Sequence, residues 1–120
     1  IWGFCNRWYL EGVKRSVPYQ LPSGLSINIL SLPYFLATKL EAHNDRGESL
    51  YISKDMEDVS LILHGSNKLP VEIKKVDPDL RNYLADNLMV LKELPAIDLR
   101  RFCECYRVDI NRILASLDWF

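Results

Sequence analysis

The residues whose types and spacing could do chemistry lie between Lys39 and Asp58. At about 100° per residue, a helix over residues 32–45 with Leu36 at 0° puts Leu40 at about 40°, Ala42 at about 240° and Phe35 at about 260°. Lys39 falls at about 300°, inside that apolar arc. An unpaired ammonium buried there costs several kcal/mol, so it must snorkel, find an acid, or face a cavity that takes an anion. A second helix over residues 54–64 offers the acid. With Asp55 at 0°, Val59 lies at about 40°, Leu63 at about 80° and Ile62 at about 340°, so Asp55 also sits in an apolar arc, with Asp58 at its border near about 300°. If the two helices run antiparallel, a Lys39–Asp55 pair with Asp58 and Arg46 close by satisfies every charge. A lysine held in this way is a point charge that can meet an anion. Spacing leaves a plainer reading open: Lys39 snorkels at a boundary, and Asp55 caps its helix with Asp58 three residues on, in a capping-box-like arrangement.

Other elements must position these residues. Residues 3–15 read as a short helix with a weakly apolar face and a basic end. Residues 18–30 read as a hairpin, because Tyr19 and Leu21 alternate before Pro22-Ser23-Gly24, and Leu25, Ile27 and Ile29 alternate after it. An isolated two-stranded hairpin is marginal, so this one is expected to adjoin further sheet. Ser31 and Pro33 open the 32–45 helix and Gly47 follows its end. A short helix is expected near 70–76 and a longer one over 78–94, capped by Asp77 and buried along Leu80, Tyr83, Leu84, Leu88, Leu91 and Leu94. Past Pro95, Asp98 can cap a last helix near 98–118, lined by Phe102, Tyr106, Ile110, Ile113, Leu114 and Leu117. The expected class is α+β, mostly α: a hairpin followed by a helical, bundle-like extension.

One decoy stands in the chain. Gly65-Ser66 is followed by Asp77-Pro78-Asp79, a literal GS-x10-D-x-D pattern that could hold metal if both acids lay on one face of a strand. Pro78 is a poor central-strand residue and a good helix opener, so the pattern reads as a helix start. His43 faces inward at a helix end and reads as a hydrogen-bonded boundary residue; His64 suits a helix C-terminus. No metal-ligating set is evident. Cys5, Cys103 and Cys105 are odd in number and badly spaced for bridging or ligation, and they read as reduced thiols of a cytoplasmic protein.

The bulk numbers exclude more than they assign. The chain has 120 residues, 48% apolar and 26% charged, with a formal net charge of -1. That suits one modest globular domain and gives no general attraction to nucleic acid or acidic membranes, so RNA binding through the arginines of the last helix is a weak alternative. No apolar run approaches the ~20 residues of a membrane helix. The opening Ile-Trp-Gly-Phe reads as cut from a longer protein.

The strings SLPYFLATKLEAHNDRG and YISKDMEDVSLILHG resemble a stretch of the AbiEii/AbiGii-type toxin nucleotidyltransferases. The match runs through Pro33, Phe35, Leu36, Ala37, Lys39, Leu40 and Ala42, then Arg46-Gly47, then Lys54, Asp55 and Asp58. It covers residues 1–75 well and the terminal helices weakly. The resemblance implies that residues 1–30 are a remnant of a nucleotidyltransferase core, its hairpin from the edge of that sheet, and that 31–120 are its helical region. It implies that Lys39 and Arg46 contact nucleotide phosphates while Asp55 and Asp58 serve catalysis by orienting the lysine or the acceptor. It also implies Mg2+ and a nucleoside triphosphate, an RNA acceptor and an antitoxin protein. The family's metal-holding carboxylates lie upstream of this stretch, so the isolated chain is expected to be inactive, and a catalytically silent binding or assembly module is the alternative.

Overall fold

The computed structural model describes residues 6–120. Trp2, Phe4, Cys5 and the expected start of the first helix lie outside them. The order is α1 (Arg7–Lys14), β1 (Val17–Gln20), β2 (Ser26–Ile29), α2 (Leu32–Arg46), α3 (Lys54–Gly65), α4 (Leu69–Ile73), α5 (Pro78–Lys92), α6 (Ala96–Tyr106) and α7 (Ile110–Leu117). The class is α+β and mostly helical, with a two-stranded antiparallel hairpin leading into helices. The hairpin pairs Val17 with Ile29 and Tyr19 with Ile27. Its turn closes through Leu21 N–H to Leu25 O at 2.7 Å and Gly24 N–H to Leu21 O at 2.9 Å.

Helix α2 is the central element, packed against α1, α3, α4 and α5. Its Leu36, Ala37 and Leu40 join Met56, Val59 and Leu63 of α3, Leu84, Leu88 and Leu91 of α5, Phe102 of α6 and Ile113 of α7 in one buried cluster. The 3.6-residue stripe of each helix thus becomes a shared core rather than separate faces. Helix α1 crosses α2 closely because Gly12 carries no Cβ: one placed there would lie 2.7 Å from Leu30 Cδ2 and 3.1 Å from Tyr34 Cβ. Asn6 fixes the same crossing. Its Oδ1 accepts the Trp8 and Tyr9 N–H groups as an N-cap, and its Nδ2 donates to Thr38 O at 2.9 Å.

The end of the chain departs from expectation. The single helix expected over 98–118 is two helices. Arg107 closes α6 in the left-handed conformation (φ 57°), and Asp109 then caps α7 by accepting from Asn111 N–H at 2.9 Å. The break resets the helical phase, so Leu114, expected on the buried face, is 47% exposed, while Val108 in the corner is buried. Helix α6 also begins earlier than expected: Pro95 occupies the N-cap and Asp98 lies within the first turn.

Candidate functional site

The α2–α3 pair is joined by a short loop that begins at Gly47, whose φ of 64° ends α2 in a conformation costly for other residues. Helix α3 restarts at Ser53, whose hydroxyl accepts the Met56 N–H at 3.1 Å. Ser53, not Asp55, is therefore the cap. That frees the Asp55 carboxylate, in the first turn, to turn inward with a side chain only 5% exposed.

Running back along α2, Arg46 meets Asp55 (Nη1 to Oδ2, 3.1 Å). About two helical turns further back, Lys39 Nζ lies 2.9 Å from Asp58 Oδ2 and 3.8 Å from Asp55 Oδ1. These pairings make the two helices antiparallel and bring together all four residues singled out in the sequence. The side chains of Lys39 and Asp58 are about three-quarters buried and that of Arg46 is more open. Two cations and two carboxylates cancel formally. Asp55 avoids the penalty of a lone buried charge because it has a cation on each oxygen.

A hollow of about 530 Å³ opens beside this cluster. Tyr9, Leu30, Phe35 and Ala42 give it apolar walls; Asn6, Thr38, Lys39, Asp45, Arg46 and Asp55 supply the polar ones. Lys39 Nζ stands 5.4 Å from the centre of the Phe35 ring, within cation–π range. An ammonium has three N–H donors, so two carboxylates leave it capacity for a ligand oxygen. The arrangement can seat an apolar or aromatic group against Tyr9 and Phe35 while donating charged hydrogen bonds to an anionic oxygen.

A second layer supports the cluster. His43 Nδ1 lies 2.8 Å from Ser53 Oγ, as expected of a hydrogen-bonded boundary histidine. Burial pushes the His43 pKa below its ordinary value, against the opposing pull of the Asp55 and Glu48 carboxylates. Tyr106, read in the sequence only as a core residue of the last helix, reaches across from α6. Its hydroxyl accepts the Ser53 N–H at 3.0 Å and donates to the Leu50 carbonyl, with Ser53 O 3.1 Å away as a second acceptor. Burial also raises the Tyr106 pKa. No local signal ties residue 106 to residues 50–53; only the long-range fold does.

The decoy pattern does not form a site. Asp77 is the N-cap of α5 and Asp79 lies in its first turn, both exposed, and Asp77 Oδ2 meets Arg15 at 3.4 Å. His64, near the end of α3, accepts the Asp109 N–H at 3.1 Å and so ties α3 to α7 away from the hollow. Among the described residues no group of three or more His, Cys, Asp or Glu side chains is placed to hold a metal ion. Asp55 and Asp58 are engaged by Lys39 and Arg46; the metal-holding carboxylates that the resemblance implies belong upstream of this stretch. No helix of the described residues is long and apolar enough to cross a membrane. No protein-family model, curated protein or solved structure matches this chain.

Proposed function

We propose that the hollow beside Lys39 receives a nucleotide, with Lys39 and Arg46 on its phosphates, and that the chain works as the helical part of an AbiEii/AbiGii-type nucleotidyltransferase acting on an RNA acceptor. The observation that carries this reading is the Lys39 ammonium, held by Asp58 and Asp55 of the neighbouring helix at the wall of a nucleotide-sized cavity. Asp55 and Asp58 orient the lysine; they are not assigned to metal. Because the four charges balance, affinity for phosphate comes from directed N–H donation rather than from net positive potential. In this reading Mg2+ arrives with the nucleoside triphosphate or is held by acids other than those described, and an antitoxin protein is the partner that restrains the intact enzyme.

The test is calorimetric titration of the chain with ATP and with GTP. Binding is expected, and Lys39→Ala should weaken it by about tenfold or more, the worth of one charge-assisted hydrogen bond. Helical circular dichroism should persist in the variant. Failure of the wild-type chain to bind either nucleotide at millimolar concentration rejects the proposal. The second reading, a catalytically silent assembly module, draws on the internal neutralisation of both aspartates; it gains from that negative result.

A further inference from the structure

We infer that Tyr106 is a positioning residue of the Lys39 site, acting through Ser53 and His43; this rests on the reading of that site as a nucleotide pocket. Tyr106 is far away in sequence from the four charged residues, yet its hydroxyl is bonded to both ends of the segment that leads into α3. It meets the carbonyl of Leu50 and both backbone groups of Ser53.

Proton accounting shows how this fixes the site. Ser53 is 1% exposed. Its oxygen accepts from Met56 N–H, and with a neutral His43 protonated on Nε2 its own O–H donates to His43 Nδ1 at 2.8 Å. This tautomer gives the buried Ser53 O–H a partner, whereas Nδ1–H donating to Ser53 Oγ leaves that O–H without an acceptor among the described residues. His43 lies on α2 between Lys39 and Arg46, four residues after one and three before the other, while Ser53 lies two residues before Asp55. The chain Tyr106–Ser53–His43 thus joins α6, the first turn of α3 and the middle of the charged stretch of α2. It sets how the carboxylates of α3 meet the cations of α2. The Phe102 ring stacks edge-on against Tyr106, 5.0 Å between centres, and fixes the direction of its hydroxyl.

The test uses Tyr106→Phe, which keeps the ring and removes only the hydroxyl, with Ser53→Ala and Ser53→Thr beside it. Two readouts are taken well below the melting temperature: ATP affinity by calorimetry, and the His43 titration by NMR. Tyr106→Phe should weaken ATP about fivefold, the equivalent of one net hydrogen bond. It should also move the His43 titration upward, as Ser53 loosens and water reaches an imidazole that already faces the Asp55 and Glu48 carboxylates. Ser53→Ala should do the same, and Ser53→Thr, which restores a hydroxyl, should recover both signals. A purely structural role for Tyr106 lowers the melting temperature and leaves both readouts unmoved; that result overturns the inference. If the wild-type chain binds no ATP, the nucleotide reading falls by itself, and the linkage is then judged by the His43 titration alone: an unmoved titration in Tyr106→Phe rejects it and an upward move upholds it.

Discussion

At the scale of single residues, the site is a problem in placing charge without leaving any of it alone. Asp55 is the most buried of the four and is met by a cation on each oxygen. His43, beside it, lies against the Ser53 hydroxyl, and burial pushes its pKa below the ordinary value. Burial disfavours the charged imidazolium, against the opposing pull of the Asp55 and Glu48 carboxylates. The sign follows from linkage. An unfolded histidine titrates near about 6.5, so between that value and the lower folded one the unfolded chain binds more protons. Stability from this group is complete above about pH 6.5 and is lost as pH falls through the folded pKa. Urea melts at stepped pH should show this loss in the wild-type chain and a shallower one in His43→Gln, which keeps a polar group without a titrating one. A slope unchanged by the substitution would refute the assignment.

At the scale of elements, antiparallel α2 and α3 form the frame, and α1 closes one wall of the hollow through Tyr9. The approach of α1 depends on Gly12. Its missing Cβ leaves room for Leu30 Cδ2, the movable end of a side chain, and for Tyr34 Cβ, which is fixed to the helix. Gly12→Ala gains helix propensity worth up to about 1 kcal/mol and loses more to overpacking, typically about 1–3 kcal/mol. The net expectation is a loss of about 1 kcal/mol with a wider gap between Tyr9 and Phe35. Thermal melts report the first, and weaker ATP binding reports the second. A stabilised variant with undiminished binding would show that α1 is free to shift without cost.

At the scale of the whole molecule, the chain divides into a helical body with a continuous core and a hairpin that takes little part in it. All eight strand residues are exposed, including Val17, Tyr19, Ile27 and Ile29 on one face, and residues 16–31 contain no charged side chain. Leu84, Leu88, Leu91, Phe102 and Ile113, by contrast, are wholly buried. Stability should therefore be uneven. Amides of β1 and β2 should exchange by local opening, orders of magnitude faster than those of α5 and α6, which open only with global unfolding. Hydrogen exchange followed by NMR measures this, and hairpin protection equal to that of α5 would contradict it.

Much of this was legible without coordinates. Period-two alternation marked the hairpin, period-3.6 stripes marked α2, α3 and α5, and a lysine and an aspartate inside apolar arcs marked the charged cluster, because burial of a charge is visible wherever it breaks a stripe. The resemblance to nucleotidyltransferases rests on that same stretch and remains a proposal. The break at Arg107 was hidden, since the apolar spacing runs on through it and a left-handed arginine has no strong local signature. The Ser53 cap of α3 is a local signal that the reading of Asp55 as a cap passed over, and it is this cap that releases Asp55. Tertiary structure alone decided that Tyr106 holds the segment that leads into α3, and that the lysine has a hollow beside it. Side-chain types and periodicity declare which groups must be buried or paired. The partner of Tyr106 lies on a chain segment about fifty residues away, and no local pattern encodes that distance.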